Sequence, residues 1–158
     1  MLAAAAVVRR GGDASQAAMA AQLTAQRSNL WFTVDTLDYL RKGGRISPAA
    51  AALGNVLGIR PILGIEDGQI VPVDRVRTTP RARADILERG ADAVARMEYP
   101  AYATVRSDEG VTARGLEKLG GASPAVFAVN SITSSVITVH TGPGSFGVAV
   151  ADFPAGLF

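Results

Sequence analysis

Apolar and polar positions along the chain follow two rhythms, a helical period near 3.6 and a strand period of 2, and the switches between them mark the elements. Leu2 to Val8 is an apolar run closed by Arg9 and Arg10, cations that suit a helix carboxyl end, and Gly11-Gly12 can supply a left-handed cap. Asp13 or Ser15 can cap a second helix that runs through Ala18, Met19, Leu23 and Thr24 toward Arg27, where Ser28-Asn29 breaks it. Leu30 to Val34 is a compact β-prone run. Asp35-Thr36 then offers caps for a short helix carrying Leu37, Tyr39 and Leu40, which stops at Gly43-Gly44.

Ser47-Pro48 predicts a helix start, and that helix ends near Gly58. From Ile62 to Val76 the pattern is a β-hairpin turning at Asp67-Gly68, with Pro72 placing its second arm at a sheet edge. Thr79-Pro80 opens a long amphipathic helix whose apolar face is Ala84, Leu87, Ala91, Val94 and Ala95, ended by Tyr99-Pro100. Strands at Tyr102–Arg106 and Ala125–Val129 flank a helix from about Val111 to Leu119, a βαβ unit. The stretch from Ile132 through Val139 leads to the turn at His140-Thr141-Gly142-Pro143-Gly144, and Phe146 to Val150 alternates as a final strand. The expected fold is therefore a single α/β domain with a mixed sheet, a β-hairpin and flanking helices.

Composition narrows the chemistry. The 158 residues carry a formal net charge of +2, too little for the broad positive field of a nucleic-acid binder. There is no cysteine, which removes disulfides, thiolate metal sites and cysteine nucleophiles and fits a reducing, cytoplasmic setting. A single histidine, His140, supplies no His-rich metal set. The Leu2–Val8 run is too short for a signal peptide or an integral membrane segment, and its arginines follow the run instead of preceding it.

Three places can carry function. Gly142-Pro143-Gly144-Ser145-Phe146-Gly147 spells G-x-G-x-x-G, yet a dinucleotide fingerprint needs a following helix and an acidic residue about 20 positions on, and here a strand follows. What remains is a glycine turn whose small residues can let a ligand approach the amides, beside the Thr141 hydroxyl and the His140 donor. Spacing alone favours a plainer reading, a buried histidine bonding a carbonyl beside a strand turn. The second place is Arg75, Arg77, Arg81 and Arg83. Arg77, just before a helix amino end, can clamp a carboxylate or phosphate, whereas Arg81 and Arg83 are expected on the solvated helix face. The third is Lys42-Gly43-Gly44-Arg45-Ile46-Ser47, two cations on a glycine hinge next to a helix start.

The string Val34-Asp35-Thr36-Leu37-Asp38-Tyr39-Leu40-Arg41-Lys42-Gly43-Gly44-Arg45-Ile46-Ser47 closely resembles the signature of the DegV family of bacterial fatty-acid-binding proteins. Leu57-Gly58-Ile59-Arg60-Pro61-Ile62-Leu63, the Asp67-Gly68 turn, Arg75-Val76-Arg77 and His140-Thr141-Gly142-Pro143-Gly144 are similar to further stretches of that family. The resemblance covers the family's carboxyl-terminal half. It implies residues 1–28 as helices leading from a missing N-terminal domain and 29–158 as the carboxyl-terminal α/β domain.

The resemblance also implies a non-catalytic lipid-binding subunit, without cofactor, that encloses a long-chain fatty acid and presents its carboxylate to a separate ATP-dependent fatty acid kinase serving phospholipid synthesis. His140, Thr141 and Gly142, with Arg77 and Arg45, would meet the head group, and Lys42, Arg45 and Arg77 would dock the kinase. The missing domain would supply Ser and Thr donors. Ile46, Leu53, Val56, Leu57, Ile62 and Phe146 are candidate tunnel residues, although for each taken singly a place in the core is the favoured reading. An exposed apolar patch is expected where the missing domain docks. A small phosphate-binding enzyme or phosphotransferase built on the glycine turn is the alternative, and a DNA-associated protein using the arginines is disfavoured by the low net charge.

Overall fold

The computed structural model describes residues 1–46, 58–107 and 113–157. Its amino-terminal helical hairpin consists of α1 (Leu2–Arg9) and α2 (Ala14–Gln26). Gly11 takes the left-handed conformation at φ 82° after α1. Asp13 caps α2 in a full capping box: Gln16 N donates to Asp13 Oδ1 at 2.8 Å and Asp13 N donates to Gln16 Oε1 at 3.0 Å. The hairpin buries Ala3 and Ala20 with Ala101 and Phe153 in a small cluster of its own.

Next come β1 (Ser28–Thr33), the short α3 (Asp38–Lys42), and the hairpin of β2 (Arg60–Glu66) and β3 (Gln69–Val76). Asp67 and Gly68 both have positive φ, 50° and 76°, the two-residue turn whose twist matches paired strands. Then follow α4 (Thr79–Val94), β4 (Pro100–Arg106), α5 (Ala113–Ala122), β5 (Phe127–Ile132), α6 (Ser135–Thr141) and β6 (Phe146–Asp152). The six strands form one sheet in the order β3-β2-β1-β6-β4-β5, with β3 on an edge as Pro72 requires. Only β4 and β5 run parallel, joined through α5; the other pairs are antiparallel, so the sheet is mixed.

Strand alternation divides the interior into two layers. Phe146, Val148 and Val150 of β6 pack with Ile86 and Val94 of α4 and Leu119 of α5 on one face. On the other, Phe32 and Leu63 join Val34, Leu37 and Leu40 beneath α3.

Three expectations are corrected. Helix α4 buries Ala82, Ile86, Gly90, Ala93 and Val94, so its core stripe is rotated from the expected one and Ala95 is exposed. Gly90 faces inward because a Cβ there would meet Val148 and Leu119 within 3.0 Å, which lets helix and sheet approach closely. Arg83 flanks that stripe and holds its guanidinium 5.8 Å from the Phe146 ring centroid with Nε buried, so it is not a solvated helix residue. Strand β5 sits later than expected, at 127–132, because its parallel register pairs Phe127 with Ala101 and Ile132 with Arg106. The stretch before His140, to which the sequence pattern assigned no element, is helix α6: the Ser134 hydroxyl caps it by accepting from Ile137 N at 3.4 Å, and Thr138 and Thr141 hydroxyls donate back to Ser134 O and Ile137 O. The expected helix from Ser47-Pro48 lies outside the described residues.

Thr33 is 1% exposed and its hydroxyl has no hydrogen-bond partner among the described residues. A buried, unpaired hydroxyl opposes folding, so Thr33→Val is expected to raise the unfolding free energy by about 1 kcal/mol. Urea denaturation at unchanged m-value checks this; a loss of stability would mean that the hydroxyl is satisfied.

Candidate functional site

The face of the sheet away from α4 and α5 carries a cavity of about 820 Å³. Its floor follows from side-chain alternation. Leu30 and Phe32 of β1 point into it, and directly opposite them on β6 stand Ala149 and Gly147. The small residues of β6 thus hollow the floor while the large ones, Val148 and Val150, fill the core behind it. Val105 of β4 extends the floor on one side, and Ile65 and Ile70 of the hairpin bound the other. Leu40 and the backbone leaving α3, Gly44 to Ile46, form a wall.

Polar groups enter from one connected piece of chain around α6. Thr133, His140, Thr141 and Ser145 all line the cavity. The Thr133 and Thr138 hydroxyls lie 2.8 Å apart, and the Thr141 and Ser145 hydroxyls 3.3 Å apart. The turn is tied to the end of β4, since Ser145 N donates to Ser107 Oγ at 2.9 Å and Ser107 N donates to Ser145 O at 3.0 Å. His140 Nδ1 is buried without a hydrogen-bond partner, which leaves Nε2 as the nitrogen able to serve the cavity that the ring lines.

Of the residues singled out from sequence, the fold brings Arg45, Ile46, His140 and Thr141 to this cavity; Phe146 also borders it, but its side chain is buried in the layer under α4. Arg45 is exposed, with Nη1 donating to Gly43 O at 3.4 Å, and Lys42 is exposed on the last turn of α3, outside the lining. Arg77 is exposed between β3 and α4 and also lies outside it. Ile62 is fully buried in the core on the α4 side of the sheet. Leu53, Val56 and Leu57 lie outside the described residues.

Gly142 does not offer its amide to a ligand: it has φ 74° and donates to Thr138 O at 2.7 Å, closing α6. The Ser145 amide is also engaged, and because β6 follows, the turn lacks the following helix of a phosphate cradle. Leu30, Phe32, Ile70, Val105, Thr133 and Ala149 were not singled out beforehand. The alternation within Leu30-Trp31-Phe32 could have pointed to the first two; the others need the strand order.

Among the described residues no three His, Cys, Asp or Glu side chains gather as a metal site, and no helix is long and apolar enough to cross a membrane. A family model described as "Uncharacterised protein, DegV family" matches residues 1–152.

The chain belongs to the DegV family.

A DegV domain-containing protein of Streptomyces coelicolor is 37% identical over 161 residues, covering 96% of this chain and 54% of that relative. The solved DegV family protein of Thermus thermophilus, described by its fatty acid binding, has a TM-score of 0.84 at 26% identity, over 95% of this chain and 54% of its own. DegV of Bacillus subtilis, described as a fatty acid binding protein, has a TM-score of 0.82 at 27% identity, over 96% of this chain and 54% of its own. The chain spans about half the length of the DegV relatives it matches.

In this DegV-family chain the turn after α6 depends on Gly142, where a Cβ would lie 2.5 Å from the Tyr39 ring and the positive φ is itself costly for an L side chain. Gly142→Ala is expected to lower stability by about 2–4 kcal/mol, conformational strain and overpacking together. Chemical denaturation measures it, and a loss below the strain term alone would show that Tyr39 moves aside freely.

Proposed function

We propose that this chain binds a long-chain fatty acid, with the alkyl tail over the Leu30–Phe32–Ala149 floor and the carboxylate held by His140 and Thr141. The observation that carries the reading is the form of the cavity, about 820 Å³ with an apolar floor and with Thr133, His140, Thr141 and Ser145 delivered by one segment. An amphiphile with one polar end matches that division. The fatty acid binding described for the Thermus thermophilus and Bacillus subtilis structures supports it.

The two ends of the ligand contribute differently. Each buried methylene is worth about 0.8 kcal/mol, so the tail supplies most of the affinity. The carboxylate must leave water, and donors at its position prevent an unpaired charge. A charge-assisted hydrogen bond there adds about 1.5–3 kcal/mol and fixes which end faces out.

The remaining half of the relatives' length supplies the partner for the open side. Helix α6 buries none of its residues and leaves Val136 and Val139 68% exposed and Ile137 49% exposed, with Ile137 also lining the cavity. A second domain seated on this face would cover those side chains, close the tunnel and add hydroxyl donors for the carboxylate. Residues 1–28 then serve as the connection from it, and 29–158 as the carboxyl-terminal domain.

In this reading the protein is a cytoplasmic, non-catalytic subunit without a cofactor. It presents the carboxylate to a separate ATP-dependent kinase that makes the acyl phosphate used for phospholipid synthesis. Lys42 and Arg45, exposed beside the cavity mouth, dock that kinase, with Arg77 as a further exposed contact. Arg45 is also the cation nearest the head group by virtue of lining the cavity.

Two expected outcomes test the proposal in a two-domain protein carrying this sequence. Ala149→Phe fills the floor and lowers affinity for a fluorescent fatty acid by at least about tenfold, the loss of two buried methylenes' worth of contact; unaltered titration would remove the tail from this cavity. Lys42→Glu, outside the cavity lining, lowers acyl-phosphate formation by the kinase while fatty acid remains bound, as lipid extraction and native mass spectrometry would show; unchanged turnover and complex formation would defeat the docking role.

A further inference from the structure

Gly43 and Gly44 stand side by side in the sequence but meet different constraints. Gly44 has φ +64°, and a Cβ built on it would meet nothing within 4 Å, so its glycine answers a backbone requirement. Gly43 is in the right-handed helical region with φ −76° and ψ −6°, which any residue adopts. Space is its constraint: a Cβ there would overlap His140 Nδ1 and lie 3.1 Å from Cε1 of the same ring, with the Tyr39 carbonyl 3.2 Å away on the other side.

The same contact continues along the two segments. A Cβ at Gly142 would run into the Tyr39 ring, and one at Gly144 into the Asp35 carboxylate. Two of the interlocking side chains therefore come from the α3 segment and one from α6, each seated on a glycine of the opposite strand of chain. Asp35 is held in turn by Arg60, whose Nη1 donates to Asp35 O at 2.7 Å and whose Nε donates to Thr79 Oγ1 at 3.0 Å. The α3 end is thereby anchored to β2 and to the start of α4 while it receives the imidazole.

We propose that Gly43 is the positioning residue for His140: its bare Cα seats the Nδ1 edge of the imidazole and so aims Nε2 into the cavity. Helix α6 carries the histidine but leaves its own face unpacked, so α3 sets the ring's orientation. The proposal deepens the carboxylate-binding reading and rests on it.

The test exploits the fact that His140 is the chain's single histidine, so its imidazole gives one set of side-chain signals in a heteronuclear NMR spectrum. Gly43→Ala is expected to move those signals in the ligand-free protein and to weaken fatty acid binding about ten- to hundredfold, the worth of one charge-assisted hydrogen bond, while binding of the matched methyl ester is preserved. In a His140→Ala background the space is vacated, so Gly43→Ala is expected to have no further effect on fatty acid affinity. Unmoved imidazole signals, or effects of the two substitutions that simply add, would overturn the proposal.

Should Gly43→Ala fail to fold, the double variant decides. Folding restored by His140→Ala supports the seat, and a double variant that fails where His140→Ala alone folds refutes it. Equal binding of fatty acid and methyl ester by the wild type would refute the carboxylate reading itself, and the imidazole signals would still report separately whether Gly43 holds the ring.

Discussion

Everything in this structure depends on the pairing of β6 between β1 and β4. The last strand in sequence occupies the interior of the sheet, flanked antiparallel on both sides. Its two faces are unequal: Phe146, Val148 and Val150 fill the layer under α4 and α5, whereas Gly147 and Ala149 face the cavity. A slip of one residue in that register would send the bulky set into the cavity and leave the core with a glycine and alanines. Cavity and core are thus two consequences of one pairing.

The polar end of the cavity is organised by a second constraint, the close approach of α3 to the turn after α6. Helix α6 has no buried residue and too few turns to hold its own position by packing. It is placed by its neighbours: the Ser107–Ser145 hydrogen bonds from β4, and the glycine contacts from α3. A histidine on such an element has a defined direction only because another element supplies it, a requirement that sites built on short elements share. The exposed valines and isoleucine of α6 are the counterpart of this economy, since no residue of the helix is buried against its neighbours.

Local chemistry was legible wherever it was decided locally. The Asp13 cap, the Thr79-Pro80 start of α4, the Asp67-Gly68 turn and the stop at Gly43-Gly44 all followed from residues within a few positions of one another. Misreadings occurred where distant chain intervened. Strand β5 is read too early because its limits are set by the parallel register with β4, which no residue within the segment announces. The core stripe of α4 was displaced because Gly90 and Ala82, small and unremarkable in a hydrophobicity pattern, are the residues that let the helix approach the sheet.

The sequence by itself determined the class of fold, the family, and the segments that carry the site, because caps, turns and the Asp35–Ile46 and His140–Gly144 strings are short-range features with their own chemistry. Only the tertiary structure decided which residues share the cavity. Strand order set Leu30 and Phe32 against Ala149 and Gly147 across more than a hundred positions, and no local rule states that pairing. It also divided the candidates, bringing Arg45, Ile46 and Thr141 to His140 while leaving Arg77 and Ile62 elsewhere, since a residue's neighbours across a sheet depend on register and not on its own identity.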